Sequence, residues 1–402
     1  MAFIHSLLEN DLYKYTMAQV FFHNKEFRDL KVKWMFKCRE KGIKFNDDVV
    51  CMIGKQIKEY SKLRYTNDEI EYLKSLKFLK PDFIEFLRNW KPNIEIIKYN
   101  NLCNNLELTF EGNILDATFL ETPIMAIICE SYYTNLNDYN TILIKHRLRI
   151  YDILEKFDSG IYNFDYSDFG FRRRLSYEAQ VDSLKILMRN KHFKGTSNVY
   201  LAKELGLRPV GTMAHEYFMM GQYIFKDNIK KINEKMLKLW LNEYSDNVLL
   251  TCLTDTLTTD SFIKYTDKEI LNKFNGFRHD SGDPYEWFNK IYNSGIQNPE
   301  NKIYLFSDSL SFDKANEIYN KLIKLVQPSK EINKANSKDK GNIIFGIGGS
   351  ICSPRMHDFV DMNIVIKPIE VNGQPVVKLS DCEGKNMCLN DDYINKMKEE
   401  VK

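Results

Sequence analysis

The sequence is short of the features that mark a membrane, secreted or nucleic-acid-binding chain. No apolar run approaches the roughly eighteen uninterrupted residues that a membrane-spanning helix needs, so no membrane partner is expected. The N-terminus, Met1-Ala2-Phe3-Ile4-His5, lacks a basic stretch followed by an apolar one, and a cytoplasmic location is the expectation. An excess of one charge is missing as well. The 57 Lys and Arg face 55 Asp and Glu, a net charge of +2, which exerts no general pull on nucleic acid or a lipid surface. The eight cysteines (Cys38, Cys51, Cys103, Cys129, Cys252, Cys352, Cys382 and Cys388) are scattered without a C-x-x-C pair, which argues against a zinc knuckle or redox dithiol and for buried free thiols. The seven histidines show no H-E-x-x-H or similar ligand spacing, so a structural transition-metal site is not expected.

What is present is an ordinary globular balance, 44% hydrophobic and 28% charged over 402 residues. That length accommodates a large α/β domain with a smaller companion. Residues 1 to about 120 mix helical and extended signals, such as the acidic-start helical stretch 66–77 and the alternating Asn105-Leu106-Glu107-Leu108-Thr109-Phe110. Beyond them, short apolar runs recur at 161–164, 209–210, 248–253, 276–277, 303–306, 342–345 and 363–366, with another near 192–194. Most are followed by a longer amphipathic stretch, the rhythm of βα units, and seven or eight such strands predict a barrel. The segment 328–341 is polar, Lys-rich and aperiodic and reads as an exposed loop. Asn372-Gly373 between apolar runs reads as a hairpin turn.

Nearly every run ends in a polar cluster: Ser167-Asp168-Phe169-Gly170, Gly195-Thr196-Ser197-Asn198, Gly211-Thr212, Thr254-Asp255, Arg278-His279-Asp280-Ser281-Gly282-Asp283, Ser307-Asp308 and Gly346-Ile347-Gly348-Gly349. Gly, Ser and Asp end strands in any protein because they supply turns and caps. So many clusters in register point instead to the rim of an active site, where a (β/α) barrel gathers its strand ends. The stretch Arg278 to Asp283 combines a cation, two carboxylates and a flexible Gly, a set suited to a phosphorylated sugar bound with Mg²⁺. The glycines Gly346, Gly348 and Gly349 can present backbone N–H groups to phosphate, although the pattern is not G-x-G-x-x-G and no Rossmann unit is read. Phe169 and Phe171 beside Arg172-Arg173-Arg174 offer rings and guanidinium groups to a flat carboxylated heterocycle, with at least one arginine expected to serve only its neighbours. His215, just past a strand end with Glu216 next to it, is a candidate catalytic residue; an isolated His is more often structural.

These motifs, together with Asn10-Asp11-Leu12-Tyr13-Lys14, Gly211-Thr212-Met213-Ala214-His215-Glu216, Leu253-Thr254-Asp255, Phe306-Ser307-Asp308 and Phe345-Gly346-Ile347-Gly348, stand in the order and approximate spacing of bacterial nicotinate phosphoribosyltransferases. The chain resembles that family from about residue 5 to 388. The resemblance implies a type II phosphoribosyltransferase fold. Residues 1–125, joined by C-terminal strands within 367–402, would form an α/β unit packed against an irregular (β/α) barrel of residues 126–366. It implies a homodimer with shared active sites and ATP as co-substrate with Mg²⁺, whose protein ligands are left unassigned. His215 would be transiently phosphorylated by ATP, which pulls toward product a phosphoribosyl transfer to nicotinate that feeds NAD synthesis. Phe169 and Tyr13, the latter from the partner subunit, would sandwich the pyridine ring. Arg172, Ser197, Thr212 and Arg278 would surround the nicotinate carboxylate or nearby phosphate, and Asp255, Asp280, Asp283, Asp308, Gly348 and Gly349 would line the phosphoribosyl site, with Asp280 and Arg278 also serving catalysis.

The physical chemistry agrees with those roles. A pyridine nitrogen attacking the anomeric carbon as pyrophosphate leaves needs placed carboxylates, Arg and Mg²⁺ more than a strong base. A neutral imidazole, oriented by Glu216 or another carboxylate, suits a phosphoryl acceptor. Related nicotinamide-using enzymes carry Asp where Ser197 stands, and a hydroxyl donor favours a carboxylate over an amide. Two departures from the family pattern, Gly349-Ser350 and the long 328–341 loop, bear on phosphate affinity and not on the reaction. The competing readings are a nicotinamide or quinolinate phosphoribosyltransferase, a non-catalytic ligand-binding barrel and a metal-dependent barrel hydrolase. Ser197 and the His215 segment argue against the first, the intact polar strand ends against the second, and the unpaired histidine spacing against the third.

Overall fold

The computed structural model describes residues 2–244, 249–326, 342–354, 362–382 and 388–402. Along the chain the strands are β1 (Lys31–Cys38), β2 (Ile97–Leu102), β3 (Asn105–Asn113), β4 (Asp165–Asp168), β5 (Phe193–Thr196), β6 (Thr251–Leu253), β7 (Gly276–His279), β8 (Ile303–Phe306), β9 (Asn342–Ile347), β10 (Ile364–Val371) and the short β11 (Gln374–Pro375). The chain forms two compact units, one of Met1–Tyr162, Ser167–Gly211 and Ile347–Asn372, the other of Asn163–Tyr166, Thr212–Gly346 and Gly373–Lys402. The helix Glu121–Thr134 runs through the boundary near 125 expected from the sequence, and the first unit continues beyond it.

The first unit contains an antiparallel sheet in the order β10-β1-β3-β2. β1 alternates buried and exposed positions, with Val32, Trp34 and Phe36 turned inward, as a half-buried strand must. Trp34 stands opposite Phe110 across β3 and stacks on it with ring centroids 5.6 Å apart. The helix Leu12–His23 is buried from Leu12 to Phe21, so it is a core helix and not an amphipathic surface one. Its Lys14 is neutralised there by Glu121. The helical signal at 66–77 is realised as Asn67–Ser75, opened by a capping box between Thr66 and Glu69.

The second unit carries the parallel strands β9, β8, β7 and β6, each paired with the next. Phe277 lies opposite Tyr304, and Tyr304 opposite Ile343. Both faces are covered, as parallel sheets require, and Phe277, Trp287, Phe288, Tyr304, Phe306 and Phe345 are all buried. The register also decides where the chemistry goes. Leu253 pairs with Arg278 and His279 with Phe306, so Asp255, Asp280 and Ser307 emerge side by side at one end.

The α/β class is as read from the sequence, and the chain realises it with a parallel and an antiparallel sheet; several strand positions differ. The run 161–164 is irregular and the strand is Asp165–Asp168, because the buried Asp168 carboxylate is satisfied by Gly170 N, Gln180 Nε2, Thr196 Oγ1 and the Cys352 thiol. Residues 209–210 contribute only an isolated bridge from Pro209 to Thr196, since proline has no N–H for a ladder. The run 363–366 opens β10 and pairs antiparallel with β1, Phe36 opposite Ile366; it is no part of the parallel set. At Asn372-Gly373 both residues have positive φ, 47° and 78°, the geometry of a two-residue turn. The 328–341 stretch and residue 248 lie outside the described residues. All eight cysteines are free thiols. Among the described residues no helix is long and apolar enough to cross a membrane.

Candidate active site

In the second unit, His215 begins the helix His215–Ile224 immediately beyond the extended segment from Thr212. Its Nε2 lies 2.8 Å from Asp280 Oδ2 and 3.8 Å from Asp255 Oδ1, and its Nδ1 lies 3.0 Å from Thr256 Oγ1. Asp280 is held from its other oxygen, which accepts from Arg278 at 3.0 Å and from the Ser307 hydroxyl at 3.0 Å. Arg278 also donates to Ser307 Oγ and to the Met213 carbonyl. Asp255 accepts from Ser281 Oγ, which in turn accepts from the Asp381 N–H at 3.0 Å. His215, Asp255, Asp280 and Arg278, separate in the sequence, therefore form one cluster. The carboxylate that orients the imidazole is Asp280.

The sequence reading missed the group that completes this cluster. Lys378 Nζ sits 2.7 Å from His215 Nε2, 3.1 Å from Asp255 Oδ2 and 3.5 Å from Asp280 Oδ2, and its side chain is 4% exposed. Gln222 clamps the delivering segment by donating to the Val377 carbonyl at 2.6 Å and accepting the Val377 N–H at 2.9 Å; the Leu379 N–H donates to the Thr256 carbonyl. Burial opposes charge on all three ionisable partners. It raises Asp255, but Lys378 holds that carboxyl below its usual range; it raises Asp280, but Arg278 and Lys378 hold it well below. Burial lowers the Lys378 ammonium, and Asp255 and Asp280 more than restore it.

The donor atoms of His215, Asp255 and Asp280 lie within 4.8 Å of one another, which invites a metal reading. The ammonium of Lys378 contacts all three, and together with the Arg278 guanidinium on Asp280 it already matches the two carboxylate charges. These residues do not fit a resident Mg²⁺.

The first unit assembles a second group of the expected residues. Tyr13 accepts from Arg172 at 3.3 Å within the same chain. Ser197 donates its hydroxyl to Asp11 at 2.6 Å, and the backbone between them is tied by the Leu12 N–H to the Ser197 carbonyl. The hydroxyl expected to face a carboxylate ligand is thus given to a carboxylate of the protein. Burial raises the Asp11 carboxyl to about 6, against the lowering pull of Arg172 and Ser197. Phe169 is anchored through its N–H to the Ile347 carbonyl at 2.9 Å. A Cβ on Gly348 would meet the Phe169 carbonyl at 2.7 Å, so only glycine lets these backbones meet. Gly349 follows in the short helix Gly349–Cys352.

The remaining expected residues have local duties. Thr212 donates to the Thr251 carbonyl at 2.7 Å. Asp283 is exposed and caps the helix Pro284–Tyr292, accepting from Tyr285 and Glu286 N–H. Asp308 is half-buried and acts electrostatically on His279. Of the three consecutive arginines, Arg174 is fully buried between Glu9 (2.5 Å) and Glu130 (3.1 Å), and Arg173 donates to the Ile364 carbonyl.

Residues 164–402 match the nicotinate phosphoribosyltransferase (NAPRTase) family, and residues 8–129 match its N-terminal domain. The chain belongs to the nicotinate phosphoribosyltransferase family. A nicotinate phosphoribosyltransferase of Psychromonas ingrahamii is 33% identical over 392 residues, 96% of this chain and 92% of the relative. One from Escherichia coli is 34% identical over 96% of this chain and 92% of its own length. The crystal structure of nicotinate phosphoribosyltransferase from Porphyromonas gingivalis superposes with a TM-score of 0.84 at 29% identity, covering 99% of both chains. That from Vibrio cholerae gives 0.84 at 29% identity over 99% of this chain and 94% of its own.

Proposed function

We propose that this chain joins nicotinate to the phosphoribosyl group of 5-phosphoribosyl 1-pyrophosphate, releasing nicotinate mononucleotide and pyrophosphate, and couples that transfer to hydrolysis of ATP through a phosphohistidine at His215. The observation that carries the reading is the contact of 2.8 Å between His215 Nε2 and Asp280 in a chain of this family. A carboxylate fixes the ring while a nitrogen remains to act as nucleophile. The nitrogen carrying the lone pair forms a bond to the γ-phosphorus as the bond to the ADP oxygen breaks; ADP leaves with the electron pair, and water later takes the phosphoryl group as phosphate.

In the transfer itself, the pyridine nitrogen forms its bond to the anomeric carbon while the carbon–oxygen bond to pyrophosphate breaks. Cation character grows on the ribose and negative charge on the leaving group. Asp280 and Asp255 favour the first and Arg278 the second. Phe169 and Tyr13 offer faces to the pyridine ring, and Arg172 is the cation for its carboxylate. Mg²⁺ enters on the diphosphate of the donor, where phosphate oxygens suit it. The active form is a homodimer.

An assay of nicotinate, nicotinamide and quinolinate, each with phosphoribosyl pyrophosphate and with or without ATP, tests the whole reading. Mononucleotide forms from nicotinate, and faster with ATP. Equal or better use of nicotinamide overturns the acceptor assignment, and indifference to ATP overturns the coupling.

A further inference from the structure

The ring of His215 is contacted at one nitrogen by two groups of opposite character, a carboxylate at 2.8 Å and an ammonium at 2.7 Å. One nitrogen cannot give a hydrogen to the carboxylate and a lone pair to the ammonium at once; with Nε2–H turned to Asp280, the ammonium directs its hydrogens to Asp255 and Asp280. A second proton on the ring would then set cation against cation at close range. On the far side of the ring the Thr256 hydroxyl stands 3.0 Å from Nδ1, and a hydroxyl donates or accepts as required, so it is compatible with either neutral tautomer.

Charge counting leads to the same place. Two buried carboxylates beside an imidazole favour its cationic form, which has no lone pair and cannot accept a phosphoryl group. Arg278 compensates one of them, Asp280. Lys378 supplies the second positive charge and touches Asp255, Asp280 and the ring together. The other charged or titratable groups around the ring are Glu216, next to His215 on the same helix, and His279, which feels Asp255, Asp280 and Asp308.

We propose that Lys378 is a positioning residue for His215, holding the imidazole in its neutral, nucleophilic form. This rests on the phosphohistidine reading given above. Lys378 forms no bond to phosphorus; it acts by denying the ring a second proton. The Gln222 clamp on Val377 and the Leu379–Thr256 hydrogen bond fix the segment that aims it. With the ammonium gone, the ring takes up a proton more readily, so phosphoryl acceptance is lost at neutral pH and returns as the pH rises.

The experiment measures uptake of label from ATP labelled at its γ-phosphate, in the wild type, Lys378→Met, Lys378→Arg and His215→Ala, between pH 6 and pH 9. In Lys378→Met the rate at pH 7 is expected to fall at least about tenfold and to recover to within about threefold of wild type at pH 9. Lys378→Arg, which keeps the charge, restores most of the neutral rate. Recovery at high pH also establishes that the Met variant is folded. Uptake by Lys378→Met at the wild-type rate at pH 7, or uptake equally depressed across the pH range, overturns the proposal for Lys378. If the wild type takes up no label, or His215→Ala takes up as much, the ATP step itself falls, which is a separate result.

Discussion

Ser197 gives its hydroxyl hydrogen to Asp11 across 2.6 Å, joining the loop after β5 to the first turn of the chain. The position at which a related enzyme would carry aspartate is therefore already next to one. Ser197→Asp places two carboxylates in contact, and like charges at that distance cannot both ionise. Nicotinate KM is expected to rise at least about tenfold and the melting temperature to fall, with Asp11→Asn recovering most of the stability of the double variant. Steady-state kinetics and thermal unfolding of the four proteins check this; unchanged nicotinate kinetics in Ser197→Asp removes Ser197 from substrate choice.

The Asp11 carboxyl titrates near 6 in the fold because burial outweighs Arg172 and Ser197. A folded pKa raised above the unfolded value means that the folded state binds the extra proton between about 4 and 6. Stability from this group is present below that window and is lost as the pH rises through it. Asp11→Asn keeps an acceptor for Ser197 and carries no charge. Its stability relative to wild type is expected to increase from pH 4 to pH 7 by up to about 3 kcal/mol, measured by urea unfolding at both pH values. A difference that does not change with pH refutes the assignment.

Arg174 lies between Glu9 and Glu130 with no exposure. Arg174→Met leaves two carboxylates buried without their cation, and a loss of about 3–5 kcal/mol is expected. Burial raises Glu130 to about 7 despite Arg174, so it is already partly protonated at neutrality. Glu130→Gln is expected to cost no more than about 1 kcal/mol at pH 7. Chemical denaturation of the two variants separates these outcomes; equal costs refute the argument.

Gly348→Ala drives a methyl group against the Phe169 carbonyl, 2.7 Å from where the Cβ would lie. The backbone of Phe169 must give way, at about 1–3 kcal/mol. Nicotinate KM should rise more than the KM of the phosphoribosyl donor. An equal rise in both, or none, detaches Phe169 from the pyridine.

His215→Ala should abolish stimulation by ATP and leave a slower transfer. Comparing rates with and without ATP checks this, and retained stimulation moves the phosphoryl acceptor elsewhere.

Much of the cluster around His215 was legible because parallel strands carry their loops at one end. Asp255, Asp280 and Ser307 each sit one or two residues past a strand end, and strand register then lays them side by side. Lys378 was not legible. It lies in the run Val376-Val377-Lys378-Leu379 and looks like an outward residue of a strand; only the distant Gln222 clamp turns it inward. β4 was misplaced for a related reason. Asp165-Tyr166-Ser167-Asp168 is too polar to read as a buried strand until Gln180, Thr196 and Cys352 are seen to satisfy Asp168. Asp283 had two physically sound uses, phosphate site or cap, and Pro284 at the first helical position fits the cap in which the structure shows it engaged. Asp11 stands inside the motif Asn10-Asp11-Leu12-Tyr13-Lys14, but nothing local announces its partner Ser197 across the unit.

Lys378 follows His215 by 163 residues. During synthesis, the histidine and both aspartates leave the ribosome well before their lysine does. The cluster therefore closes only once the segment around Lys378 has folded back onto the helix His215–Ile224, a contact of long sequence separation whose loop-closure cost places it among the slower steps of folding.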